Sequence, residues 1–160
     1  MKVALYARVS TDEQNVAQQA KFLQEYAIRN GFEIAQIIQD EESARIPLTS
    51  RKKFLKLLDD SLRGVFDCVI VFKLDRLTRN WGDVSLVEKH FASNWDRCKL
   101  MSAYDSVDLA TAAGRLSFRF VMAIACYEVE SMFERQRVGI DRAKAEGKFK
   151  GGKKGRTWAK

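Results

Sequence analysis

Five consecutive apolar residues, Cys68–Phe72 (CVIVF), are bounded on both sides by polar positions. A strand with one wet face alternates; a run this short that does not alternate is a strand covered on both faces. Such a strand belongs to a sheet sandwiched between helices, and the rest of the chain supplies the layers. Lys2–Ala7 (KVALYA) and Ile34–Gln39 (IAQIIQ) read as two further strands. Between them lies a helical pattern with Phe22, Leu23, Tyr26 and Ala27 on one side, running to about Asn30 and closed by Gly31. Asp40–Ser50 is a loop holding the only proline, Pro47, and Ser50 is placed to cap a helix carrying Phe54, Leu55, Leu57 and Leu58. Gly64 ends that helix. A polar loop, Lys73–Asn80, then leads to a helix over about Asp83–Ser93 and a weaker strand, Leu100–Ala103. The order βαβαβαβ predicts an α/β fold, a mainly parallel doubly wound sheet with helices on both faces.

The last element is different in kind. From about Ala112 to Ala145 only Gly114 and Gly139 interrupt a helical pattern, which makes a helix of about 50 Å. Apolar residues occupy more than one of its faces, which requires cover on several sides. The expectation is a long C-terminal oligomerisation helix with Phe118, Val121, Met122, Ile124 and Tyr127 at the interface; the alternative is an ordinary core helix. The domain plan is then a catalytic body over 1–111, the long helix over 112–147, and a basic Gly/Lys-rich linker over 148–160.

Charge is distributed unevenly. The formal net charge is +7, and residues 134–160 alone carry ten Lys or Arg against three Asp or Glu, whereas residues 1–133 are balanced. A neutral body with a cationic tail favours a polyanion, with Arg135, Arg142, Lys144, Lys148, Lys150, Lys153, Lys154 and Arg156 as the contact candidates. No stretch approaches the roughly 18 apolar residues that a membrane span needs, and no signal peptide precedes the first strand, so a cytoplasmic location without membrane association is expected. Three scattered cysteines, Cys68, Cys98 and Cys126, and a single histidine, His90, do not make a zinc-type ligand set. No metal or cofactor is expected.

Strand ends direct attention to two segments, because chemistry in such sheets gathers at the carboxyl edge. After strand one comes Tyr6-Ala7-Arg8-Val9-Ser10-Thr11; after strand three comes Lys73-Leu74-Asp75-Arg76-Leu77-Thr78-Arg79. A serine hydroxyl would thus face a group of arginines. A free serine is a weak nucleophile, and phosphoryl transfer spreads negative charge over the phosphate oxygens. Guanidinium groups stay charged and grip two such oxygens in a plane. Arg8, Arg76 and Arg79 suit that work, and Arg51 can join them from the start of its helix. Asp75 either holds these arginines by salt bridges or moves a proton. His90 reads as a packing or surface residue.

At these residues the chain resembles the resolvase/invertase family of serine site-specific recombinases. Positions 6–14 (YARVSTDEQ) resemble the family's nucleophile motif, and 73–79 (KLDRLTR) its second signature. Gln19 with Leu23, Asp108 with Gly114, and Glu128, Glu134 and Arg135 fit the pattern further along. The resemblance implies that Ser10 attacks a double-stranded DNA phosphate and forms a 5′-phosphoserine link, with strand exchange in a tetramer assembled from dimers, and with no metal or ATP. It implies that Arg8, Arg51, Arg76 and Arg79 contact the scissile phosphate, with Asp75 in the site and Tyr6, Gln14 and Gln19 in support. Two departures stand out: Ser43-Ala44 replaces the family's frequent Ser-Gly, and Arg51-Lys52 its Arg-Pro, so Arg51 is preferred to Arg45 as the matching arginine. The linker is expected to lead toward a DNA-reading domain outside this sequence. The competing readings are a non-catalytic DNA-binding relative that keeps only the fold, and a nucleotide-binding α/β domain, for which the chain has no GxGxxG or GxxxxGK[ST] loop.

Overall fold

The computed structural model describes residues 1–8, 13–41 and 46–148, without the side chains of 13–16. Its elements are β1 (Lys2–Arg8), α1 (Glu13–Arg29), β2 (Glu33–Asp40), a 3-10 turn (Leu48–Ser50), α2 (Lys52–Leu62), β3 (Cys68–Val71), α3 (Leu74–Leu77), α4 (Trp81–Ser93), β4 (Lys99–Ser102), β5 (Val107–Asp108) and α5 (Ala112–Ala145). The sheet order is β2-β1-β3-β4-β5. The first four strands run parallel and β5 returns antiparallel to β4.

The pleat explains the layering. Successive residues of a strand point to opposite faces. Val3, Leu5, Ala7, Cys68 and Ile70 pack with Ala20, Leu23 and Ala27 of α1 on one face. Ala4, Tyr6, Val69 and Val71 pack with residues of α2, α4 and the first part of α5 on the other. This is the doubly wound α/β architecture, and it accounts for the unbroken apolar run: all four residues of β3 are buried.

Chain reversal at the end of α1 uses Gly31 at φ 68°. Its amide bonds Ile28, and that of Phe32 reaches Ala27, the paired bonds of a Schellman cap. Gly114 has another reason to be glycine. A Cβ there would lie 1.8 Å from the carbonyl oxygen of Asp108, so only a residue without a side chain lets α5 start against β5.

Several expectations need correction. The segment after β3 is not all loop: Leu74 and Leu77 are buried, and that burial winds it into the single turn α3. Ser50 does not cap α2; it ends the 3-10 turn, and Arg51 occupies the cap position without a side-chain cap bond. β5 was not anticipated, since two residues carry no period.

The chain divides into two compact units, Met1–Cys126 and Tyr127–Lys160. The division falls inside α5 rather than at its start. Phe118 and Met122, expected at an oligomer interface, are fully buried in the core of the first unit together with Cys126. They are core residues because the part of α5 within this unit packs onto the sheet, and Val121 is partly buried against the same cluster. Ile124 is 59% exposed. In the second unit, Tyr127 is 65% exposed and the helix carries Arg135, Arg142 and Lys144 at exposed positions. No helix among the described residues is long and apolar enough to cross a membrane.

Candidate active site

In a sheet ordered 2-1-3-4, the chain leaves β1 toward one side and β3 toward the other. The crevice at the carboxyl ends of that adjacent pair is where such folds place ligands. Arg8 is the last residue of β1, and Lys73, Asp75, Arg76 and Arg79 follow β3. Tyr6, Arg8, Gln19, Phe72, Lys73 and Arg76 line a narrow, nearly closed crevice there, without room for a water molecule until its walls part.

Arg8 is buried, and its Nε donates to the backbone carbonyl of Arg76. This bond joins the two sequence signatures. Burial lowers the Arg8 pKa, and the charges of Arg51, Arg76 and Arg79 lower it further, with Tyr6 opposing. The four arginines therefore lie within electrostatic reach of one another. Such a group repels itself, and an anion would relieve the repulsion.

Arg51 is wholly enclosed. Its Nε and Nη2 donate to the carbonyl of Ile46 at 3.0 and 2.7 Å, and Nη1 to that of Leu77 at 2.8 Å. It clamps the segment before α2 onto α3, so the direct phosphate contact expected of it requires that segment to shift. Asp75 accepts from Arg79, Oδ2 to Nη2 at 3.0 Å, and its carbonyl accepts from Arg79 Nε at 3.3 Å. Of its two possible roles, the geometry is that of holding an arginine.

Tyr6 donates its hydroxyl to Asp40 Oδ2 at 2.6 Å, both residues buried. Burial, then the hydrogen bond and charge of Asp40, push the phenol pKa up; Arg51 opposes weakly. Tyr6 is held as a neutral donor. Gln19 and Arg76 face the crevice with buried polar atoms, Gln19 Oε1 and Arg76 Nε, that find no hydrogen-bond partner among the described residues.

Ser10 and the Gln14 side chain lie outside the described residues, as do Lys150, Lys153, Lys154 and Arg156. Lys148 is exposed and pairs with Glu146 at 2.8 Å.

Sequence reasoning missed three acids. Asp40 sits opposite Arg8 in the β1–β2 register, and the strand-end rule could have found it, since it closes β2. Asp83 accepts from the Leu48 amide at 3.1 Å and the Thr78 hydroxyl at 2.6 Å. Asp105 accepts from the Leu74 amide at 2.9 Å and the Ser102 hydroxyl at 2.7 Å. Asp105 fixes the start of α3, and Asp83 ties the residue after α3 to the 3-10 turn; nothing local in the sequence announces the long-range bonds to Leu74 and Leu48. Among the described residues no group of three or more His, Cys, Asp or Glu is placed to hold a metal ion.

Fold and site together define an α/β domain with a cationic crevice at the switch point of its sheet. Comparisons with known proteins give this class its family. The model of the resolvase N-terminal domain matches residues 3–149. The chain is 37% identical over 149 residues to the Transposon Tn2501 resolvase of Escherichia coli, covering 92% of this chain and 73% of that protein. It is 36% identical over 146 residues to the DNA-invertase of Enterobacteria phage P7, covering 91% and 72%. The structure of the N-terminal catalytic domain of TP901-1 integrase superposes with a TM-score of 0.64 at 31% identity, over 81% of this chain and 98% of that one. A resolvase family site-specific recombinase from Streptococcus pneumoniae superposes with a TM-score of 0.59 at 25% identity, over 90% and 99%. The chain belongs to the resolvase family: it is the catalytic domain of a serine site-specific recombinase, an enzyme that transfers DNA strands.

Proposed function

We propose that Ser10 is the nucleophile and that the arginines at the carboxyl edge of β1 and β3 supply the charge its reaction needs. The observation that carries this reading is the convergence of Arg8, Arg51, Arg76 and Arg79 beside the end of β1, two residues before Ser10. The Ser10 hydroxyl oxygen attacks a backbone phosphorus of double-stranded DNA. The serine gives up its proton, the bond to the 3′ oxygen breaks, that oxygen takes a proton, and the 5′ phosphate stays on the serine. Reversal by a 3′ hydroxyl from another duplex end restores the DNA and frees the serine. One phosphoester replaces another at each step, so no ATP is consumed.

Arg8 and Arg76 face the phosphate from the crevice. Arg79, steadied by Asp75, adds a third guanidinium, and Arg51 contributes its field while holding α3 in place. A preorganised donor aimed at developing charge is worth about 3 kcal/mol, so such a cluster can stand in for a metal ion. Tyr6 and Gln19 support the crevice, with Gln14 beside the nucleophile in sequence.

Exchange of strands needs more than one protomer. Leu116, Phe120 and Ile124 recur every fourth residue of α5 and are each more than half exposed, which fits a helix-mediated homodimer that pairs into a tetramer on synapsis. Val121 lies along the same helix, and Tyr127 continues the apolar positions in the second unit. The cations of the second unit, Arg135, Arg142, Lys144 and Lys148, suit the phosphate backbone of DNA outside the crevice, with Lys150, Lys153, Lys154 and Arg156 following in sequence.

The Ser10→Ala variant tests the reading. It is expected to melt with the wild-type protein and to lose all covalent attachment to a nicked suicide duplex carrying the recombination site. Attachment that survives the change overturns the assignment. Cleavage by the wild type should persist in EDTA; strict metal dependence would transfer the charge-stabilising role from the arginines to an ion.

A further inference from the structure

Lys73 lies in the crevice beside Arg8 and Arg76. Its ammonium sits 3.8 Å from the ring centroid of Tyr104. The described acids nearest to it in sequence are engaged elsewhere. Asp75 holds Arg79, and Asp105 holds the Leu74 amide and the Ser102 hydroxyl. Among the described residues no carboxylate forms an ion pair with Lys73. The chain thus adds a lysine to the lining that Arg8 and Arg76 share.

An aromatic face holds a cation differently from a carboxylate. It attracts the ammonium through the ring quadrupole and leaves the full charge available. The holder is itself rigid. The Tyr104 amide donates to the Phe72 carbonyl at 3.0 Å, extending the β3–β4 ladder. Its ring meets that of Phe72 at 5.7 Å, which in turn meets Phe22 of α1 edge-on at 5.1 Å. Tyr104 is 59% exposed and is not among the residues that line the crevice, so the ring that holds the ammonium is open to solvent.

We infer that Lys73 is a DNA-contacting residue of this site, taking a backbone phosphate at the mouth of the crevice, and that Tyr104 is the positioning residue that holds its ammonium there without neutralising it. The inference rests on the reading of the crevice as a DNA site. On arrival of the duplex the ammonium exchanges a ring face for a phosphate oxygen. The contact is blind to sequence, because every nucleotide presents the same phosphate.

The test measures binding of a mixed-sequence duplex of about 30 base pairs by the whole chain across a salt series. Lys73→Met is expected to weaken binding and to lower the slope of log Kd against log salt by about one. Tyr104→Leu is expected to weaken binding with the slope unchanged, since the charge remains and only its placement is lost. Tyr104→Phe keeps the ring and is expected to restore wild-type binding. Lys89→Met, an exposed lysine on α4, is the control and leaves the slope alone. A wild-type slope in Lys73→Met overturns the inference. So does an equal fall in Lys89→Met, which would reduce the effect to bulk charge, and so does a Tyr104→Phe variant as weak as Tyr104→Leu. Covalent attachment is not the readout, so the Ser10→Ala result can fail without moving these slopes. A wild-type protein whose DNA binding ignores salt would sink the functional reading itself.

Discussion

The two edges of the sheet are built from the same residue types and differ in what those residues are asked to do. At the amino edge, Lys2 pairs with Glu33 at 3.8 Å, their side chains 57% and 69% exposed, and the Lys2 amide donates to Asp67 at 2.7 Å. Water can replace each of these contacts. At the carboxyl edge, Tyr6, Arg8, Asp40, Arg51, Thr78 and Asp83 are all buried, and each is tied to a partner from another element. Burying polar groups costs stability unless every one is matched. Among the described residues the buried charged side chains lie at this edge with the exception of Asp60, and that concentration marks where the chemistry is. The contrast also separates scaffold from site: Arg51 and Asp105 hold the backbone of α3, whereas Arg76 and Arg79 remain partly exposed.

The largest effect that would break this contrast belongs to Arg51. Replacing it by alanine strands the Ile46 and Leu77 carbonyls in a buried place and empties the volume of a long side chain. Hydrogen bonds to a charged donor are worth about 1.5–3 kcal/mol each, and relief of its repulsion with Arg8 offsets part of the loss. Arg51→Ala is expected to cost about 3 kcal/mol in denaturant unfolding. Arg79→Ala, whose ion pair with Asp75 is about a third exposed, is expected to cost less than about 1 kcal/mol while abolishing cleavage. If the two variants lost the same stability, the division between scaffold and site would collapse.

Tyr6 comes next. Tyr6→Phe leaves the buried Asp40 carboxylate without its hydroxyl donor, at an expected cost of about 1–2 kcal/mol. The pH dependence carries the sign. The folded state holds the phenol neutral and raises its pKa above the unfolded value, which is about 10. The fold then binds this proton more tightly than the unfolded chain does. The Tyr6 contribution is therefore complete below about pH 10 and is lost as the pH climbs beyond it. The stability gap between wild type and Tyr6→Phe should be flat from neutrality to about pH 9.5 and should narrow above that. A gap that widened in alkali would mean that the phenolate, not the phenol, is the favoured form.

How much of this was legible follows the range of the interactions. The sheet, α1, α2, α4 and α5 were readable because burial leaves a period: four buried residues in a row for β3, Leu23 and Ala27 four apart for α1. The arginines were readable because two compact motifs carry them. Asp40 was readable only as the residue that closes β2; Asp83 and Asp105 were not, since each acts on a segment at least 31 residues away and leaves no local pattern. Phe118 and Met122 were misplaced for a related reason. An apolar residue on a long helix looks the same in sequence whether its cover comes from its own sheet or from a second chain. Arg51 is legible as the residue that opens its helix, yet its enclosure by two carbonyls depends on where Ile46 and Leu77 come to rest, which sequence spacing does not convey.

The smallest expected effect is the one that sharpens the comparison most, because it tests the other edge. Lys2→Ala and Glu33→Ala each remove one partner of a pair in which both side chains are more than half exposed. An exposed pair gains little in high dielectric and loses side-chain entropy to hold its geometry. Each variant is expected to stay within about 0.5 kcal/mol of the wild type, with no change in cleavage. The double variant should equal the sum of the two, since a pair this weak has no coupling to lose. A cost at Lys2 rivalling that at Tyr6 would show that the amino edge is also under load, and the density of buried polar groups would no longer point to one edge as the site.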